Sequence, residues 1–251
     1  MEQVSRRTLG RNALGSIITF SLLESLFQHD AFGDEVKPLV TKWVADLDEL
    51  GRDVKGQKVS QILWQQKVEE LFAAVDLDEL LKLVDFDKLT KDIKIPDHGS
   101  KSLGFRFPEV DGIPKQLVFG KQIFALKKGR SVVPHGHNNM ATAFLILNGD
   151  LRGRHYDRVE DEKDHIIIRP TIDRSFKLGE YSTVSDYKDN IHWFKAESDV
   201  AYIFNIHVND CRPQSELQTG RVYLNPNGEA LSGGLIRAPR IGYTASHKLF
   251  G

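Results

Sequence analysis

Two histidines stand two residues apart in the run Gly129-Arg130-Ser131-Val132-Val133-Pro134-His135-Gly136-His137. On a β-strand, residues i and i+2 share one face, so two imidazoles at this spacing project toward a common point. That is what a transition metal requires; a lone histidine on an apolar face is usually a satisfied core residue. The single cysteine, Cys211, cannot form an internal disulfide or a thiolate cluster, so any metal must rest on nitrogen and oxygen ligands. Cys211 itself reads as a small surface or boundary residue.

The elements that must position these histidines change texture along the chain. From residue 34 to about 95 the pattern is helical: Leu39, Trp43, Leu47 and Leu50 form one stripe, and Val68, Leu71, Phe72 and Val75 a second after a cap at Ser60. Leu77, Leu80, Leu81 and Val84 follow. These stripes read as packing faces. From Ile95-Pro96 onward, short runs rich in β-branched and aromatic residues alternate with turn signals. Leu117–Phe119, Ile123–Leu126, Ala143–Leu147, Ile166–Ile168 and Val200–Val208 read as strands, and Asn148-Gly149 and Leu178-Gly179 as turns between them. Many short strands at this spacing predict a sandwich or jelly roll. The tail carries a further hairpin signal, Asn225-Pro226-Asn227-Gly228, and a short terminal helix beginning near Thr244.

Composition narrows the partners. The 251 residues carry 34 basic against 35 acidic side chains, a formal charge of −1, with 40% hydrophobic and 27% charged residues. This balance offers no electrostatic footprint for nucleic acid or for an anionic membrane surface. At the N-terminus, Arg6-Arg7-Thr8-Leu9 precedes an uncharged stretch from Ala13 to Leu23. That stretch is too short to span a bilayer, which takes about 20 residues, and suits the core of a signal peptide. The paired arginines resemble a bacterial twin-arginine export signal, with a small-residue cleavage point at Ala31-Phe32-Gly33. The alternative is an amphipathic first helix that happens to carry two arginines. The export reading implies passage through the twin-arginine machinery, no stable membrane insertion after signal removal, and a periplasmic or other extracytoplasmic location.

The histidine run resembles the first cupin motif: a glycine, five residues, His-x-His, three or four residues, a glutamate, six residues and a glycine. Here Gly129, His135, His137 and Gly149 stand at those landmarks, and Thr142 stands where the glutamate is expected. The second cupin motif brings another histidine from a later strand, which corresponds to His192 after Gly179. The resemblance implies an α+β chain in four parts: a signal peptide over 1–33, a helical segment over 34–95, a cupin-type double-stranded β-helix (jelly-roll) barrel over 96–215, and a C-terminal hairpin and tail over 216–251. It also implies one metal ion held by His135, His137 and His192.

With threonine in place of the carboxylate, the ligand set is three neutral imidazoles. The ion then keeps its full +2 charge and has open positions for an anionic or bidentate substrate and for dioxygen. Among cupins this arrangement is similar to the thiol dioxygenases, of the cysteine dioxygenase type, which use Fe(II); Zn, Mn or Ni would fit the same ligands. In that family a Ser-x-His-x-Tyr pattern follows the third ligand, and its histidine helps position substrate. His207 matches that histidine, while Asn205 and Asn209 replace the serine and tyrosine. The similarity covers residues 129–209, roughly a third of the chain.

Further candidates sit on neighbouring segments. Arg152, Arg154 and Tyr156 share one strand face, with Gly153 and His155 on the other. If the arginine face points inward, Arg154 and Tyr156 are catalytic candidates, and the guanidinium can clamp a substrate carboxylate. If His155 points inward, it can be a fourth ligand or an acid/base group. The outward alternative is a solvated face paired with Glu160, Asp161 or Glu162. Arg106 and Lys115 are looser candidates for binding a carboxylate. Asp186 and Asp189 read as turn residues able to orient His192 through its free ring N–H. His29, His98, His165 and His247 show no ligand spacing. Three functions share these features: an exported non-haem Fe(II) dioxygenase acting on a small anionic substrate, thiols among the candidates; a Zn- or Mn-dependent isomerase or lyase; and a binding module without turnover.

Overall fold

The computed structural model describes residues 39–251, so the signal expected over residues 1–33 lies outside them. Four helices lead: α1 Val40–Lys55, α2 Gln61–Ala74, α3 Leu77–Leu83 and α4 Phe86–Thr90. The Ser60 hydroxyl accepts a bond from Leu63 N at 3.1 Å, which caps α2 as its sequence predicted. Leu39 precedes α1 and is 78% exposed, outside the packed stripe.

Twelve strands follow among the described residues. They are β1 Lys101–Leu103, β2 Gly120–Lys127, β3 Ser131–Asn138, β4 Met140–Asn148, β5 Leu151–Asp161, β6 His165–Phe176, β7 Tyr181–Val184, β8 Ile191–Ala196, β9 Val200–Asn209, β10 Gly220–Tyr223, β11 Glu229–Ala230 and β12 Ile236–Pro239. A last helix, α5, spans Tyr243–Phe250. All the pairings are antiparallel, in two sheets ordered β1-β2-β9-β4-β7 and β10-β3-β8-β5-β6-β12-β11. The interleaved order β2-β9-β4-β7 against β3-β8-β5-β6 is the double-stranded β-helix, the cupin-type jelly roll that the landmarks implied.

Alternation along β4 explains how one sheet serves two cores. Ala141, Ala143, Leu145 and Leu147 belong to a cluster with Trp43, Leu47, Trp64 and Phe72 from the helices. Phe144 and Ile146 turn the other way, into a cluster with Leu151, Phe176, Phe194 and Ile203 inside the barrel. A strand buried on both faces reads as a continuous apolar run, as residues 143–147 do. The helical segment is therefore a layer closing the outer face of the first sheet. Cys211 is packed into this layer's core rather than at a boundary, its thiol donating to Val208 O at 3.3 Å.

Two expectations are corrected. Residues 117–119 form no strand: Val118 N donates to the buried Asp48 carboxylate at 2.6 Å instead of joining a ladder. The segment from 216 onward is not a separate tail. β10 pairs with β3 and β12 with β6, because β3 and β6 would otherwise present unpaired backbone edges. At the predicted Asn148-Gly149 turn, Gly149 has φ +73°, and a side chain there would overlap the backbone of Val200.

The helix–sheet layer makes a measurable claim. Trp43 is fully buried, packs at a tilt against Phe72 and Phe204 with ring centroids 5.5 and 6.1 Å away, and donates Nε1–H to Leu71 O at 2.8 Å. Replacing it by alanine is expected to cost about 3–5 kcal/mol in chemical denaturation. A loss below about 1 kcal/mol would mean that the helices are not part of the cooperative fold.

Candidate metal centre

Pairing in the second sheet brings the histidines together. His135 of β3 and His192 of β8 are direct cross-strand partners, and His137 follows two residues along β3 on the same face. Ring centroids lie 4.2 Å apart for His135–His192, 4.8 Å for His137–His192 and 5.0 Å for His135–His137. One ligand nitrogen from each falls within 4.8 Å of the others. Gly136 lets this happen: a side chain there would come within 2.6 Å of Asn190 Oδ1 and 2.5 Å of Ile191 Cδ1, on the segment that leads into His192.

Each imidazole is held from behind. His135 Nδ1 lies 2.8 Å from Val133 O, and His192 Nδ1 lies 3.1 Å from Asn190 O. A carbonyl only accepts, so both rings carry their proton on Nδ1 and present a bare Nε2 lone pair. His137 Nδ1 is 3.0 Å from Thr142 Oγ1. The threonine at the expected glutamate position thus buttresses a ligand instead of supplying one. His137 Nε2 and His192 Nε2 are buried and have no hydrogen-bond partner among the described residues. Orphaned nitrogens pointing at a shared space, with their opposite sides occupied, fit a bound cation. The three-histidine group can hold a metal ion.

Burial keeps the ligands neutral. Desolvation holds His135 and His137 well below the usual imidazole range, with the neighbouring His192 adding to the effect. Desolvation brings His192 down to about 3, against an opposing bond to Asn190 O. Neutral imidazole is the form that ligates.

The site opens into a cavity of about 230 Å³, lined also by Phe124, Phe144, Asn205, His207, Arg221 and Tyr223. Half-buried His207 sits on its wall opposite Gly120, where any side chain would collide with the ring. Arg221 and Tyr223 come from β10, where they pair across with His137 and His135. Tyr243 and His247 of α5 line the cavity too. The i, i+2 spacing of Arg221 and Tyr223 was visible in sequence, but the sheet edge that receives β10 was not.

Several candidates fall elsewhere. Arg154 and Tyr156 do not line the cavity. Arg154 pairs with Asp173 at 3.2 Å and lies over the Trp193 ring, on the solvated face where its charge stays hydrated. Tyr156 is packed among Ile166, Ile168 and Leu224. The strand turns His155 inward instead, fully buried between Phe176 and Phe194, with neither ring nitrogen partnered among the described residues. It stays 6.3 Å from His192 by ring centroid and outside the ligand group. Asp186 and Asp189 do not orient His192, whose Nδ1 is taken by Asn190 O; Asp186 instead accepts from Asn139 N and Gln61. Arg106 and Lys115 are exposed and outside the cavity.

Two measurements check this centre. In the metal-free protein the unfolded state takes up protons near pH 6.5, while the folded state keeps these histidines neutral to lower pH. Stability is therefore full above about 6.5 and falls on acidification, by up to about 1.4 kcal/mol per pH unit for each histidine. A melting temperature unchanged between pH 7.5 and 5 would contradict the burial. Second, Thr142→Val is expected to weaken metal binding about 10- to 100-fold in titrations, whereas His192→Ala abolishes it.

No family model matches this chain, and no curated protein does. Among solved structures it is similar to procruciferin, an 11S globulin from Brassica napus, at 10% identity over 43% of this chain and 23% of the globulin (TM-score 0.32). An uncharacterized protein with a double-stranded β-helix domain from Klebsiella pneumoniae aligns at 7% identity over 53% of this chain and 90% of its own (TM-score 0.36). A cupin superfamily protein from Desulfitobacterium hafniense aligns at 14% identity over 47% and 84% (TM-score 0.32). The chain thus spans about a quarter of the globulin's length. The fold stands on the strand order itself.

Proposed function

We propose that this chain is an exported, mononuclear non-haem Fe(II) dioxygenase acting on a small anionic substrate, with thiol acids among the candidates. The observation that carries the reading is the set of three ε-nitrogens, on rings each secured at Nδ1, facing one cavity beside Arg221, which has no partner among the described residues. His135, His137 and His192 would hold the ion, with Thr142 fixing the ring of His137. When bound, Fe(II) supplies adjacent open positions for a substrate donor and for dioxygen.

The protein's own residues do the rest. Arg221 offers a charged donor for the substrate's anionic group, and His207 offers a ring nitrogen to position it. Phe124 and Phe144 keep the space around the reacting atoms poor in water. Export rests on Arg6-Arg7 and the uncharged stretch that follows them. The twin-arginine route carries folded proteins, which suits a barrel loaded with its ion before translocation, and it implies an extracytoplasmic site of action.

The test is anaerobic reconstitution with Fe(II), elemental analysis, and oxygen uptake across small thiol and hydroxy acids. Stoichiometric iron and substrate-dependent oxygen consumption are expected. Full iron occupancy without oxygen uptake on any acid would overturn the oxygenase reading, and turnover with Zn or Mn in the absence of oxygen would replace it by an isomerase or lyase.

A further inference from the structure

The ladder between β3 and β8 ends at the metal centre. His135 stands opposite His192, the pairing stops there, and β8 begins at Ile191. Position 190 falls opposite His137 in the same register but lies outside the strand. Asn190 fills that place with its side chain. It is 1% exposed, and its Nδ2 donates to His137 O at 2.8 Å and to Ser185 O at 2.9 Å. Both carbonyls only accept, so this edge of the amide is its nitrogen. Arg158 Nη1 stands farther from His137 O, at 3.5 Å.

The amide oxygen is buried and has no hydrogen-bond partner among the described residues. It lies over Gly136, where a side-chain carbon would come within 2.6 Å of it. A single residue thus reaches both ligand-bearing strands. Its backbone oxygen takes His192 Nδ1 at 3.1 Å, its nitrogen holds the main chain of His137, and its oxygen packs on the glycine between His135 and His137. The approach to it is fixed as well. Asp189 has φ +55°, a left-handed conformation that needs support in a residue other than glycine. Asp157 Oδ1 accepts from Asp189 N at 3.0 Å, and Thr171 Oγ1 donates to Asp189 Oδ1 at 2.5 Å. An unpaired buried oxygen is costly, and here it accompanies two donors that are both spent on aligning backbone.

We infer that Asn190 is the positioning residue of the metal centre: its amide, in place of a backbone ladder, fixes His137 against His192 and so sets how tightly the three imidazoles hold an ion. This rests on the metal-site reading above. It adds a residue that neither belongs to the ligand group nor lines the cavity.

The test uses the full chain, with zinc affinity measured by competition against a chelator and ligand geometry read from the visible absorption of the cobalt-loaded protein. Asn190→Leu removes both bonds at similar volume. Asn190→Ala, too small to collide with Gly136, serves if the leucine variant does not fold. Gln65→Leu is the control. Gln65 is also buried with an unpartnered amide oxygen among the described residues, and it donates to Thr183 Oγ1 at 3.2 Å where α2 meets β7. The Asn190 variants are expected to bind zinc about 10- to 100-fold more weakly and to show cobalt bands altered in position and intensity at full loading. Gln65→Leu is expected to lower the melting temperature while keeping zinc affinity within about twofold and the cobalt spectrum unchanged. Asn190 variants within about twofold of the parent protein, an unchanged cobalt spectrum, or an equal weakening in Gln65→Leu would overturn the inference. A parent protein that takes up neither metal would refute the metal site itself, and the inference with it.

Discussion

The centre depends on a single register: His135 lies directly across from His192 between β3 and β8. Side chains alternate faces along a strand, so a slip of one residue would turn His192 out of the barrel and bring a neighbour in. The ladder irregularity between Val132 and His135 is where β3 adjusts so that both of its histidines meet that partner. Two of the three rings are then fixed by the carbonyl two residues before them, Val133 for His135 and Asn190 for His192. The strand that presents each of these ligands also determines its tautomer, and the third, His137, relies on a hydroxyl from the facing sheet.

That hydroxyl gives the unusual threonine a physical role. A glutamate at position 142 would bring a negative charge to the ligand cluster; threonine brings only a hydrogen bond to His137. The cluster stays uncharged, any cation in it keeps its full charge, and the attraction for anions passes to the ion and to Arg221. Among the described residues, no carboxylate lines the cavity to offset that charge. Threonine at position 142 and an arginine on β10 without a partner among the described residues leave this part of the barrel without a compensating negative charge.

The helical layer supports the site at a distance. With α1 and α2 packed on the outer face of β4 and β9, both faces of that sheet are dry, and the inner residues Phe144 and Ile203 are held from behind. Polar links stitch the layers where the apolar packing ends: Gln65 to Thr183, and Gln61 to Asp186. At the opposite sheet, α5 lays Phe250 against Trp193 and brings Tyr243 and His247 to the cavity. The segments before and after the barrel thus cover different sheets.

Local chemistry made much of this protein legible in its sequence. The i, i+2 histidines, the glycine-marked turns and the cap at Ser60 follow from the geometry of a few adjacent residues, and so do the helical stripes. The resemblance to the cupin motif added His192 and the barrel. What the chain alone did not decide was parity and pairing at a distance. Whether Arg154 or His155 faced inward depended on how β5 meets β8 and β6, and the answer put His155 inside and Arg154 on the solvated face. That Arg221 and Tyr223 belong to the site depended on β10 finding the edge of β3, more than eighty residues earlier in the chain. Cross-strand partners are set by which edges remain unpaired once the barrel has closed, and no local pattern of side chains records that.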